Sequence, residues 1–340
     1  MLRTYVDMNL VSGKQPHAWD LGEFYLIDRI RALVPDIDLT DDCAQIELPY
    51  EGTLLFTTDA AIRGVHFPED SKYIADGGFR ALAGAVSDIN ASAGKPLAAL
   101  LALVIPPELT LSEFDRFLSG LLEYSRHSEV PLVGGNISRG DRFGATISVI
   151  GSSNKVVTRS GARPDDLVVL SGSIGGSEIG RMIISGEASD ADIKSLDSEI
   201  IGTLLYRHLR PLPPLGLGEK LAAIGATSMV DISDGLIADV EHIAEASGVN
   251  IHIELGKLPL YPGVTEIAQR HRIEPAILAA ESGEEFELIA TMSLKDAEEL
   301  EKLQMPMTVI GRVRSGNGFV DVTLNGEPIP PGFSEGWKHF

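Results

Sequence analysis

Two α+β domains are what the sequence predicts, and three features predict them. The chain's 340 residues exceed a single core of ordinary size, at about 150 residues per domain. A polar stretch with Gly and Pro, GSSNKVVTRSGARPDD at 151–166, separates two blocks of similar length. Strand-like and helix-like segments are mixed in both blocks without strict alternation, which favours α+β layers over a barrel or a doubly wound sheet. The boundary is placed within the polar stretch, giving domains 1–155 and 156–340.

The elements follow in order. Phe24, Ile27, Ile30 and Leu33 recur at helical spacing and predict an amphipathic helix over Glu23 to Leu33. Gly52 to Asp59, GTLLFTTD, reads as a strand with a polar tip. Ser71 to Ala91 has helical spacing, Leu97 to Ile105 reads as a buried strand, and Leu111 to His127 carries Phe114, Phe117, Leu118, Leu121 and Leu122 on a helix face. Val130 to Val133 and Ala145 to Ile150 return as strands. The second block opens with a strand at Leu167 to Leu170, holds an amphipathic helix at Leu236 to Ala246, and closes with strand-like runs at Met307 to Val313 and Gly318 to Leu324.

Composition excludes several function classes. Against 28 basic residues stand 49 acidic ones, a formal charge of −21 that repels phosphate backbones and anionic lipid surfaces, so neither nucleic acid nor membrane partners are expected. An anionic substrate needs local arginines or bridging cations to approach such a surface. The N-terminus lacks the features of a secretory signal, and the apolar run from Leu97 to Pro107 is too short to cross a bilayer. One cysteine, Cys43, cannot form an internal disulfide, and a cytoplasmic protein is expected.

Aspartate-rich turns dominate the candidate chemistry: Asp41-Asp42, Thr57-Thr58-Asp59, Ser87-Asp88 and Asp231-Ile-Ser233-Asp234-Gly235. Carboxylates and hydroxyls are ligands for hard cations such as Mg²⁺, which retain waters and bridge to phosphates. Each aspartate taken alone also reads as a helix cap or turn residue. The 231–235 segment is the sharpest, because a strand-to-helix turn offers backbone N–H groups to an anion beside two carboxylates. An N-cap by Ser233 or Asp234 is the structural alternative. Gly172 to Gly180 lacks the lysine and spacing of a phosphate-binding loop and reads as a structural turn. Arg159, His66, Glu284 and Trp337 each sit in suggestive settings, with surface or core packing the ordinary reading of any one alone. Paired-cysteine zinc spacing and HExxH are absent from the sequence.

In order and spacing these segments resemble the thiamine-monophosphate kinase family, part of the superfamily that includes aminoimidazole ribonucleotide synthetase and selenophosphate synthetase. The resemblance is carried by Asp41-Asp-Cys-Ala44, Thr57-Thr-Asp-Ala-Ala-Ile-Arg-Gly-Val-His-Phe67, Ser87-Asp88, Gly134-Gly-Asn-Ile-Ser-Arg-Gly140, Thr158-Arg-Ser-Gly-Ala-Arg-Pro164, Asp231-Ile-Ser-Asp-Gly-Leu236, Gly283-Glu284 and the Gly-Trp-Lys-His-Phe340 ending. It implies an N-terminal metal-binding domain that pairs into a dimeric β-barrel, and a C-terminal α/β domain for nucleotide and substrate. It implies Mg²⁺ and ATP, a homodimer, and phosphorylation of thiamine monophosphate to thiamine diphosphate. It further implies metal ligation at Asp42, Thr57, Thr58, Asp59, Asp88, Asn136, Asp231 and Asp234, nucleotide contacts at Gly135, Arg159 and Ser233, and substrate contacts at His66, Glu284 and Trp337.

The chain departs from the family pattern at Asn136, where a neutral amide replaces the usual aspartate, and the lost charge should weaken that metal site. Thr40 replaces a glycine, and Ser-Gly-Glu-Glu-Phe-Glu-Leu stands for the usual Gly-Gly-Glu-Asp-Tyr-Glu-Leu. The acceptor is itself an ionised phosphate, so no side-chain base is expected, and catalysis is assigned to positioning and electrostatics. Two alternatives stand beside this: a related ATP-dependent synthetase acting on another small molecule, and a non-catalytic nucleotide-binding scaffold.

Overall fold

A computed structural model describes residues 44–47 and 52–329. The expected helix at 23–33, and with it Asp41, Asp42, Cys43 and Trp337, lie outside the described residues.

The first sheet has five strands in the order β1-β2-β5-β3-β4: β1 Ala44–Glu47, β2 Thr53–Ile62, β3 Lys95–Ile105, β4 Leu132–Arg139 and β5 Gly144–Ser153. All neighbours pair antiparallel except β3 with β4. Two helices, α1 (Ile74–Ala91) and α2 (Leu111–Ser128), belong to the same half. Thr110 starts α2 through a capping box: its hydroxyl accepts the Glu113 N–H at 3.2 Å, and the Glu113 carboxylate accepts the Thr110 N–H at 3.0 Å.

Helix α1 is apolar almost all round and buried, as a helix between layers must be. It lies very close to α2 because both are glycine at the crossing. A Cβ on Gly78 would collide with the Phe117 carbonyl, and one on Gly120 with the Ala75 carbonyl.

The second sheet has seven strands in the order β12-β11-β8-β10-β6-β9-β7, antiparallel except between β11 and β8. They are β6 Leu167–Ser171, β7 Ser228–Asp231, β8 Val249–Glu254, β9 Leu288–Met292, β10 Met307–Ser315, β11 Val320–Leu324 and β12 Glu327–Pro328. Helices α3 (Gly176–Ser185), α4 (Ser198–Leu209), α5 (Leu217–Ile224) and α6 (Leu236–Ser247) are among those packed on it. One apolar core fills each half, and a third cluster joins them, with Ala91 and Ala93 at the end of α1 against Leu217, Leu221, Met229 and Leu288. The fold is α+β.

Three expected elements differ in detail. Strand β2 runs on to Ile62, so Asp59 lies within the strand and not at its tip. Strand β4 continues through Gly-Gly-Asn-Ile-Ser-Arg139, a segment that composition alone marks as a loop. Strand β3 is buried on one face only: Ala99, Leu101 and Leu103 point into the core, while Leu100 and Val104 remain exposed by the period of two.

Candidate active site

Four segments converge: the middle of β2, the C-terminal half of α1, the β7–α6 turn, and the Ser-Gly-Glu-Glu-Phe-Glu287 run before β9. Along α1 the residues Arg80, Gly84, Ser87 and Asp88 recur at helical spacing and share one face. The Thr57 hydroxyl donates to the Asp88 carboxylate, and the Ser87 hydroxyl donates to Asp231. Gly84 is a notch on this face. A Cβ there would sit 3.0 Å from the Asp59 carboxylate and 3.6 Å from the Phe286 ring, so β2 and the Phe286 segment meet across it. Ser87 and Asp231 are buried, with exposures of 0% and 1%.

The β7–α6 turn is organised by Asp239. Its carboxylate accepts the N–H groups of Ser233 at 3.0 Å and of Asp234 and Gly235 at 3.2 Å. The sequence left these N–H groups for an incoming anion. A side chain one turn into the helix takes them instead, and neither Ser233 nor Asp234 is the N-cap, which is Gly235. Ligand atoms of Asp234, Asp239 and His242 lie within 4.8 Å of one another.

The 284–287 run is stitched to this turn. The Glu284 N–H donates to Ser233 O at 2.7 Å, Phe286 N–H to Ile232 O at 2.8 Å, and Ile232 N–H to Glu287 O at 2.9 Å. Glu284 and Phe286 both take left-handed backbone, with φ of 56° and 51°. Non-glycine residues adopt that conformation only where surroundings enforce it. Arg80 supplies one enforcement: buried in α1, it pairs with the Glu284 carboxylate and donates to the His208 carbonyl. Burial lowers its guanidinium pKa to about 10, against the opposing attraction of Asp59, and it is still a cation at neutral pH.

Beneath lies a second ionic group. Arg207 donates to Glu285 Oε2 at 3.1 Å, to Glu287 Oε1 at 2.8 Å and to the Glu285 carbonyl. Glu285 in turn accepts the N–H groups of Gly175 at 2.7 Å and Ser177 at 3.0 Å. The glycine-rich turn at the start of α3 thus already holds an anion, the protein's own carboxylate. Burial raises the Glu285 pKa, with Arg207 pulling it back.

Thr57, Asp59, Asp88, Asp231, Ser233, Asp234 and Glu284 therefore come together in one chain. The Thr58 hydroxyl, bonded to Ser148 Oγ at 3.0 Å, faces the opposite side of the sheet. His66 sits in the turn beyond β2, where its Nδ1 accepts the Ile62 N–H at 3.1 Å. Arg159 adjoins the start of β7: its carbonyl accepts from Ser247 Oγ at 3.2 Å, and the Met229 N–H donates to Thr158 O at 3.0 Å. Gly135 shares a row with Asp59, through Ile147 and Leu101, but on the edge strand β4, and Asn136 lies in the next row, level with Ala60. Three strand spacings of about 4.8 Å put them roughly 14 Å away along the sheet. They line an apolar groove of about 360 Å³ with Leu101, Leu103, Phe114 and Leu118.

Comparison with known proteins agrees with this architecture. Models of the AIR synthase related protein match in two parts, the N-terminal domain at residues 40–153 and the C-terminal domain at 163–322. Thiamine-monophosphate kinase of Aquifex aeolicus is 35% identical over 94% of this chain and 99% of its own length. The chain belongs to the thiamine-monophosphate kinase family. The Escherichia coli K12 family member is 34% identical, covering 94% of this chain and 98% of its own. A solved structure described as AaThiL complexed with AMPPCP and TMP superposes with a TM-score of 0.84 at 34% identity, over 96% of this chain and 99% of that one. Among the described residues no helix is long and apolar enough to cross a membrane.

Proposed function

We propose that this chain transfers the γ-phosphoryl group of ATP to thiamine monophosphate, giving thiamine diphosphate and ADP. What carries the reading is the convergence of the segments that bear Asp59, Asp88, Asp231 and Asp234, in a family whose members bear this activity's name. The complex of AaThiL with AMPPCP and TMP supports both substrates.

The donor set is all hard oxygen, from carboxylates and the Thr57 hydroxyl, and suits Mg²⁺. Asp59, Asp88, Asp231 and Asp234 would hold it, with Thr57 and Ser87 fixing two of those carboxylates. When bound, Mg²⁺ offsets the repulsion between the acceptor phosphate and the γ-phosphate. The acceptor oxygen is already ionised, so the protein's part is to position: Glu284 and His66 for the thiamine moiety, Ser233 and Arg159 for the nucleotide. Asp42 and Trp337 complete the assignment as further metal and substrate contacts.

The reading includes a homodimer. Among the described residues, Leu100 and Val104 leave an apolar sheet face uncovered, and β4 is an edge strand whose Val133 and Ile137 are each 61% exposed. A second copy covering this face would bring its Gly135, Asn136 and apolar groove to the aspartates of the first, with the groove taking the adenine. Thr58, on the same outer face, would then lie against the second copy. The compartment is the cytoplasm.

Purified protein with Mg-ATP and thiamine monophosphate should form thiamine diphosphate and ADP in equal amounts. ADP formed only with another acceptor would favour a synthetase, and nucleotide binding without turnover a scaffold. For the shared site, inactive D59N mixed with weakly active N136A should regain activity on subunit exchange; no recovery with proven exchange removes the shared site.

A further inference from the structure

We propose that Arg80 is a positioning residue for the acceptor: by clamping the Glu284 carboxylate it sets the affinity for thiamine monophosphate without touching it. The proposal rests on the kinase reading above and extends it to a residue that the aspartate motifs do not include.

Four observations carry it. Arg80 occupies the same face of α1 as Ser87 and Asp88, so its position is fixed with the metal-binding carboxylates. It is 5% exposed, and its two terminal nitrogens have different partners, the His208 carbonyl and the Glu284 carboxylate. Glu284, in contrast, keeps 36% of its side chain exposed, so one side is clamped and the other is open to a ligand. Its backbone holds a left-handed φ of 56°, a conformation that needs outside restraint, which the N–H bond to Ser233 O at 2.7 Å supplies for the main chain and Arg80 for the side chain.

Charge gives the clamp its purpose. Glu284 stands on a segment that meets those of Asp59, Asp231 and Asp234, and like charges push an untethered carboxylate outward. The thiazolium ring of the acceptor is cationic and needs an ionised carboxylate at a fixed place. A guanidinium spans two acceptors in one plane, whereas an ammonium is a single point charge, so lysine should do this only in part.

Steady-state kinetics of wild type, R80M, R80K, E284Q and R80M/E284Q test the proposal, with calorimetric binding of thiamine monophosphate alone as a second readout. R80M should raise the acceptor KM and Kd by about ten- to a hundredfold, the worth of a hydrogen-bonded charge, while the KM for ATP stays within about twofold. R80K should fall between wild type and R80M. The double variant should bind acceptor no worse than E284Q, because the clamp has nothing left to hold. Equal rises in both KM values, or penalties of R80M and E284Q that multiply, would overturn the proposal in favour of a purely structural arginine. Should R80M fail to fold, R80K with unchanged acceptor Kd overturns it alone. Wild-type protein that binds no thiamine monophosphate and forms no thiamine diphosphate would instead defeat the kinase reading.

Discussion

Replacing Arg207 with methionine tests the ionic group under the active site. The guanidinium is 7% exposed and holds two buried carboxylates, Glu285 at 0% and Glu287 at 10% side-chain exposure. Methionine restores most of the volume, so the cost is chiefly that of two carboxylates left facing each other without a cation. Removing one partner of a buried pair typically costs roughly 3–5 kcal/mol. At about 2–4 °C per kcal/mol, the melting temperature should fall by roughly 6–20 °C. The deficit should also depend on pH. Burial already lifts Glu285 above its ordinary 4.5, and losing Arg207 lifts it further. A folded state that holds a proton the unfolded chain has released gains stability as pH falls towards the unfolded value. The deficit of R207M against wild type should therefore shrink between pH 7 and pH 5, and R207M/E285Q should be more stable than R207M. Urea unfolding at both pH values measures this. A deficit below about 1 kcal/mol, or one equal at the two pH values, would refute the reasoning.

Three further outcomes are expected. D88N takes a negative charge from the proposed metal site and leaves the Thr57 hydroxyl only a neutral amide oxygen to donate to, and turnover should drop by about a hundredfold or more with the fold retained by circular dichroism. N136D restores a charge, and the Mg²⁺ concentration for half-maximal rate should fall severalfold in a metal titration. His208 is pushed well below 6.5, first by burial and then by Arg80 and Arg181. The unfolded chain binds a proton there that the folded one refuses, so stability falls as pH drops below 6.5, and H208N should flatten that slope in urea midpoints at pH 7 and 5.5.

Asp59, Asp88, Asp231 and Asp234 were legible as candidates because each stands in a polar motif beside an apolar strand or helix pattern, and the order of the motifs then named a family. Arg80 was equally within reach. It stands four, seven and eight residues before Gly84, Ser87 and Asp88, but helical periodicity is carried by apolar residues, and a buried cation does not register there. Asp239 lay further from view, since nothing local says that a helix carboxylate will turn back to take three N–H groups of the preceding loop. The separation of Asn136 from Asp59 depends on strand order, β2-β5-β3-β4, a non-local property that spacing along the chain does not encode. The opposite facing of Thr57 and Thr58 follows from the strand period alone.

The paired glycines at the α1–α2 crossing work as a key and keyway. With backbone seated against backbone at Gly78 and Gly120, α1 can neither roll about its axis nor slide along its neighbour without a clash. Arg80, Ser87 and Asp88 therefore keep their indexing relative to β2 even though none of them takes part in that contact. A side chain as small as a methyl in the keyway, on the far side of the helix from any ligand, would dial the whole row out of alignment.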